Sequence, residues 1–273
     1  MTIYTNKIPR KIHQIWMQGE ELIPAKFKKY QNKIKNQHKG WEYKLWNELE
    51  IIDLIKKTNI NWLEKYYKYE YMHQKIDLGK LVIMYIEGGI IIDMDAYTKK
   101  NLEELFEENE EYDFIISKMS HVGYIGNYTS CGKIQQCINN GIFISKPKAN
   151  ILEYMINNME NNCGILDNKM RCINKTTGPI YFNKIIEIYQ NEKMIPNKSK
   201  IKILENEYLE PCTGTKLCNI TNKTYVIHKH ENTWIDKYTR KIIDYYLTKQ
   251  YELYLIVIVI LVLSYVIIKK VIT

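Results

Sequence analysis

Two aspartates spaced i, i+2 close the segment Gly88-Gly89-Ile90-Ile91-Ile92-Asp93-Met94-Asp95. In extended backbone, residues i and i+2 point to the same side, so Asp93 and Asp95 form a carboxylate pair. Such a pair at the end of a buried strand can hold a hard divalent cation, and the cation can in turn hold a diphosphate. Solvated turns also produce Asp-x-Asp, but the Gly-Gly turn and the isoleucine run in front of this one make it specific. Asp77 and Lys80 lie three apart and share a helix face. They are either an acid and a base feeding the same strand or a surface ion pair. Farther on, His228 and His230 flank Lys229 and share a strand face as a possible metal pair. His230 by itself reads as a lone structural or exposed histidine. The Tyr66/Tyr67/Tyr69/Tyr71 cluster could stack on a sugar, but reads as helix packing and surface. Gly123-x-x-Gly126 is too short for a phosphate loop.

The elements that must position these residues follow from apolar periodicity. Ile8–Trp16 opens as a strand, and Trp41–Trp46 is a second. Leu22–Gln37 and Asn47–Lys57 have helical spacing. Asn61–Glu87 reads as one long helix, bent near Gly79 and ended by Gly88-Gly89 in the manner of a glycine cap. Ile90–Ile92 is a buried strand ending at Asp93. Strands at Tyr112–Lys118, Asn140–Ser145 and Thr224–His228 follow, with helices at Ile151–Met159 and Pro179–Tyr189 and a flexible loop from Ser120 to Gly132. Alternating strands and helices predict an α/β fold, a mostly parallel sheet covered by helices.

The chain has 273 residues, of which 45% are hydrophobic and 26% charged. That excludes a disulfide mini-domain and a disordered tail, and allows a sizeable core. The formal net charge is +8, with 39 basic and 31 acidic residues. The signs are interspersed without a run of five like charges, which argues for a solvated surface and against a nucleic-acid partner. The N-terminus lacks the apolar core of a signal peptide. Leu253–Ile268, LYLIVIVILVLSYVII, is uncharged, and Lys269 and Lys270 follow it. With Val271 and Ile272 it is long enough to cross a bilayer, and Tyr251, Tyr254 and Tyr265 sit near the interfaces. The expected organisation is a catalytic domain over residues 1–240, a juxtamembrane segment over 241–252 and an anchor over 253–272. The expectation is a single-pass protein of an endomembrane or viral membrane, the alternative being a buried strand or core helix of the soluble domain, and the flanking charges leave its orientation open. The cysteines form three close pairs, Cys131/Cys137, Cys163/Cys172 and Cys212/Cys218. Free thiols are the preferred reading; disulfides would need an oxidising compartment. Sequons at Asn127, Asn174, Asn197, Asn219 and Asn222 point to the same lumenal side.

In these motifs the sequence resembles glycosyltransferase family 32, the Gly_transf_sug group with a DXD sugar-binding motif. That group includes fungal α-1,6-mannosyltransferases and inositol phosphoceramide mannosyltransferases. Ile8–Trp16 is similar to the family's IPKIIHQIW start, and Trp41–Trp46 to its W-x-x-x-x-W patch. Asp77 through Asp95 resembles D-x-x-R followed by GG-x-Y-x-D-x-D. Asn140, Thr177-Gly178-Pro179 and His228–Trp234 match later positions in order, so the resemblance runs from about residue 8 to 235.

The resemblance implies a GT-A fold, a Rossmann-like mixed sheet covered by helices, and retaining transfer of a hexose from a nucleotide sugar. GDP-mannose is the first donor expected, with UDP-sugars behind it, and the acceptor is a glycan or glycolipid. It implies Asp77 and Asn140 as catalytic residues at the donor sugar. Trp16, Asp77, Lys80, Asp93, Asn140 and Trp234 would bind the donor, and Asp93, Asp95 and His228 would hold Mn²⁺ or Mg²⁺. Three positions depart from the family: Lys80 stands for Arg and offers no bidentate fork, Ile91 stands for Tyr, and Thr233 for Ser. Two other readings compete. A nucleotidyltransferase would need a serine after the glycines, where this chain has Ile90. A catalytically inactive glycan-binding or scaffold protein on the same fold is the alternative, to which Lys80 lends weight and the intact Asp77, Asp93 and Asp95 do not.

Overall fold

The computed structural model describes residues 7–133, 137–213, 217–231, 233 and 235–272. It divides into two compact units, residues 1–231 and 232–273.

The first unit opens with strand β1 (Lys11–Ile15), helix α1 (Ala25–Gln37) and strand β2 (Glu42–Trp46). Helices α2 (Glu48–Thr58), α3 (Ile60–Lys68) and α4 (Met72–Glu87) follow. Next come β3 (Gly89–Ile92), β4 (Ala96–Thr98), α5 (Glu103–Glu108), β5 (Phe114–Lys118) and α6 (Gly123–Cys131). After them lie β6 (Ile138–Ser145), α7 (Asn150–Asn158), α8 (Lys169–Thr176) and α9 (Pro179–Asn191). The unit finishes with β7 (Ile201–Leu204), α10 (Asn206–Leu209), the two-residue strands β8 (Cys212–Thr213) and β9 (Leu217–Cys218), and β10 (Val226–His228).

The main sheet has six strands in the order β2-β1-β3-β6-β5-β7. The β1–β2, β1–β3 and β5–β7 pairs are parallel, and β6 runs antiparallel to both its neighbours. The α/β class expected from the sequence is therefore what is found, although the sheet is mixed rather than mostly parallel. Periodicity cannot report strand direction. Ile91, Phe114, Ile116 and Phe143 join one buried cluster with the helices α2, α3, α4, α7 and α9. Ile90, Ile92, Ile115, Ile142 and Ile144 face the opposite cluster with α1 and α5. Both faces are covered, which is why the central strands read as unbroken apolar runs.

Local chemistry sets the helix boundaries. Asn47 and Glu50 form a reciprocal capping box at α2, and Pro179 begins α9 at its first turn, as a fixed φ favours. Gly88 caps α4, with its N–H bonded to Met84 O and φ at 65°. Gly89 then has φ of 91°, and a Cβ there would lie 2.4 Å from Lys11 O, so only glycine lets β3 start against β1.

Three expectations are corrected. The helix expected over Asn61–Glu87 breaks at Tyr69–Tyr71, not at Gly79, because the buried Tyr69 takes an extended conformation after α3. Gly79 is a contact: a Cβ there would sit 3.1 Å from Ile51 Cγ2 on α2, so the missing side chain lets two helices approach. The segment expected as a flexible loop over Ser120–Gly132 contains helix α6; its Gly, Asn and Ser content hid the helix. The three cysteine pairs, favoured as free thiols, are joined as disulfides. Spacing alone could not show that the fold brings each pair within reach. Of the sequons, Asn127 and Asn174 are buried.

The second unit contains one helix, α11 (Lys237–Ile272). Its Glu252–Lys269 stretch has a mean hydropathy of 2.4 with nothing packed over it. Among the described residues it is the one helix long and apolar enough to cross a membrane.

Candidate active site

Helix α4 aims Asp77 and Lys80 at the end of β3, and the chain turns sharply there: Ala96 N–H donates to Asp93 O at 3.0 Å. Asp93 and Asp95 therefore occupy a turn and not the extended strand end that their spacing suggested. Their carboxylates nevertheless converge, because β4 pairs with β10 in a register that sets His228 opposite Ala96. His228 Nε2 lies 3.1 Å from Asp95 Oδ1 and 4.0 Å from Asp93 Oδ2. Lys229 N–H donates to Asp95 O and Glu231 N–H to Asp95 Oδ2 at 2.7 Å, which pins the segment after β10 to the turn.

Lys80 Nζ bonds Asp93 Oδ1 at 2.7 Å and sits 3.6 Å from Asp77 Oδ1. Asp77 accepts from Asn140 Nδ2 at 2.9 Å and from Thr177 Oγ1 at 2.8 Å. Asp77, Lys80, Asp93, Asp95, Asn140 and His228 thus form one connected polar cluster. Trp16 lies at its edge, beside Phe27 and Met94, with its indole Nε1 buried and without a hydrogen-bond partner among the described residues. Trp234, the remaining residue expected at the donor, lies outside the described residues. Gly141, on β6, is a close approach: a Cβ there would meet His228 Cε1 at 2.5 Å and Asp93 Oδ2 at 2.8 Å.

Burial pushes the Asp77 carboxyl up to about 6, against the opposing pull of Lys80 and Thr177. Burial works against the charge on Lys80, but Asp93 and Asp77 hold its ammonium above the usual lysine value. Burial also raises Asp93 against the pull of Lys80 and His228. Asp95 is pushed up by burial too, yet His228 beside it holds it well below the usual carboxylate range. In the same way Glu210 and Asp95 overcome the burial of His228 and hold its imidazole well above the usual value.

The ligand atoms of Asp93, Asp95 and His228 lie within 4.8 Å of one another. Two carboxylate oxygens and an imidazole nitrogen are a donor set that can hold a divalent metal ion.

One contributor was not recognised in the sequence, and a second was weighed as half of a metal pair and set aside. Glu210 receives both histidines, with His228 Nδ1 at 2.9 Å and His230 Nε2 at 3.1 Å. Nothing around it in the sequence marks it, because it reaches the site only through the turn after α10. His230 is not the lone histidine its isolation suggested; its ring stacks on His228 with centroids 4.0 Å apart.

Residues 24–112, the stretch holding Asp77, Lys80, Asp93 and Asp95, match the family described as "Glycosyltransferase sugar-binding region containing DXD motif". An uncharacterized glycosyltransferase of Acanthamoeba polyphaga mimivirus is 29% identical over 231 residues, 83% of this chain and 84% of that protein. Inositol phosphoceramide mannosyltransferase 1 of Schizosaccharomyces pombe is 30% identical over 125 residues, 45% of this chain. The chain spans only 38% of that relative's length. Among solved structures, mouse xyloside xylosyltransferase 1 in its apo form aligns over 83% of this chain and 99% of that one, with 13% identity and a TM-score of 0.47.

Proposed function

We propose that this protein is a membrane-anchored, metal-dependent glycosyltransferase of GT-A type. It moves a hexose, mannose first, from a nucleotide sugar to a glycan or lipid acceptor with retention. The observation that carries the reading is the convergence of Asp93, Asp95 and His228 beside the buried Asp77–Lys80–Asn140 network. The relationship to mannosyltransferases supports the choice of sugar.

Asp93, Asp95 and His228 would hold Mn²⁺ or Mg²⁺, which supplies charge neutralisation for a leaving diphosphate. Lys80 adds a fixed positive charge behind Asp93 and keeps its second oxygen turned toward His228. Asp77 and Asn140 lie one layer deeper, where a carboxylate and an amide can sort the hydroxyls of a donor sugar. Trp16 offers an indole N–H with no partner among the described residues, a donor ready for a nucleotide. All of these groups are placed before substrate arrives, which is how electrostatic stabilisation is obtained without reorganisation. The uncharged stretch of α11 anchors the enzyme to the membrane that carries its acceptor.

The test is a donor screen on the full chain in detergent micelles. Nucleoside diphosphate release from GDP-mannose and UDP-sugars is followed with Mn²⁺ or with EDTA. Mn²⁺-dependent release from GDP-mannose is expected. Release unaffected by EDTA would overturn the metal assignment, and silence with every donor and acceptor would leave a glycan-binding protein on a transferase fold. Deleting Leu253 onward should lower activity on membrane acceptors while sparing donor hydrolysis.

A further inference from the structure

Glu210 is fully buried, and a buried carboxylate is costly unless it is paired and hydrogen-bonded. Its backbone is fixed twice: its N–H donates to Asn206 O at 2.8 Å, and its carbonyl accepts from Ser120 Oγ at 2.8 Å. The carboxylate therefore stands on a rigid corner between α10 and the end of β5. It faces His228 Nδ1 at 2.9 and 3.1 Å through its two oxygens. His230 Nε2 lies 3.1 Å from Oε2, and the His230 backbone takes a φ of 48°. Positive φ is uncommon outside glycine, although histidine adopts it more readily than most residues.

Imidazole offers a metal only one nitrogen at a time, and the hydrogen bond at the other nitrogen decides which. We propose that Glu210 is the positioning residue of the metal site: by accepting Nδ1–H of His228 it directs Nε2 onto Asp93 and Asp95, and His230 braces the same carboxylate from its other side. The inference rests on the reading of Asp93, Asp95 and His228 as metal ligands. A glutamine at 210 keeps the shape but removes the charge, so the bond from Nδ1–H to a carboxylate becomes a weaker neutral one and Nε2 becomes a poorer ligand. With its N–H₂ turned to Nδ1 it would favour the tautomer protonated at Nε2, which cannot ligate.

The measurement is Mn²⁺ affinity of the full chain in micelles, read from the electron paramagnetic resonance signal of free aqueous Mn²⁺. Glu210→Gln should raise the Mn²⁺ Kd by about 10–100-fold, the usual effect of losing an outer-shell partner, with the circular dichroism spectrum retained. A folded Glu210→Gln protein with wild-type Kd overturns the inference while leaving the metal site standing. Wild-type protein that binds no Mn²⁺ overturns the metal reading and the inference together. Should the variant not fold, nitrogen-15 spectra of histidine-labelled, Cd²⁺-loaded wild-type protein decide. His228 protonated at Nδ1 and bare at Nε2 is expected, and the opposite tautomer overturns the proposal.

Discussion

Lys80 Nζ lies 2.7 Å from Asp93 Oδ1 and 3.6 Å from Asp77 Oδ1, so one buried ammonium ties the helix before β3 to the turn after it. Removing it would leave two acidic groups close together in the interior. Lys80→Met should therefore cost about 3–5 kcal/mol of stability, the range for a buried pair deprived of one partner. Lys80→Arg, which keeps the charge, should lose less. Urea denaturation of the two variants checks this, and equal losses would show that the pair contributes nothing beyond packing.

Gly141→Ala places a methyl group where His228 Cε1 and Asp93 Oδ2 already stand, at 2.5 and 2.8 Å. Overpacking of this kind typically costs about 1–3 kcal/mol, and here the strain falls on the two side chains to which the proposed function assigns a cation. The expected outcome is a folded protein, modestly less stable, with at least a tenfold weaker Mn²⁺ Kd by calorimetric titration. Unchanged affinity would mean the site relaxes without loss.

Asp95→Asn keeps a side-chain oxygen for the Glu231 N–H but removes the charge that faces His228. Metal-dependent donor turnover should fall at least 100-fold while the thermal unfolding profile stays cooperative. A variant with wild-type turnover would sink the assignment of the Asp-x-Asp turn.

His13 supplies a pH dependence remote from the cluster. Its Nδ1 accepts from Trp46 Nε1 at 3.1 Å and its Nε2 faces Gly88 O at 3.0 Å, so the neutral ring ties β1 to β2 and to the glycines that launch β3. Burial pushes its imidazole down to about 4. The unfolded chain then binds the proton more readily, so the contribution is fully present above about pH 6.5 and is lost as pH falls toward 4. The difference corresponds to about 3 kcal/mol. His13→Gln should flatten the stability profile between pH 6.5 and 4, as read by urea midpoints at stepped pH, and parallel profiles would refute it.

The parts of the fold legible in the sequence were those with local causes. Ile90–Ile92 between a glycine pair and two aspartates is a buried strand because both of its faces are covered. Asp77 and Lys80 share a helix face, and the structure places both against the following strand's end. What escaped depends on distant partners. The direction of β6 follows from its neighbours, and β4 is only three residues long and exists by pairing with β10. Glu210 has no local pattern at all, since only tertiary structure brings the turn after α10 beneath His228.

The pairing of β4 with β10 also bears on the order in which the molecule comes together. The Asp95–Glu231 bond joins residues 136 apart in the chain, whereas the Lys80–Asp93 contact spans only the end of α4 and strand β3. Closing so long a segment carries an entropic cost that local contacts do not, and contacts of high sequence separation slow folding. A growing chain can assemble β1, α4 and β3 early, with Lys80 already on Asp93, yet it has no His228 or Glu210 to complete the cluster. Nascent or prematurely ended chains would therefore hold a half-built cluster, and the cation binding proposed for it would appear only once the far segment had docked.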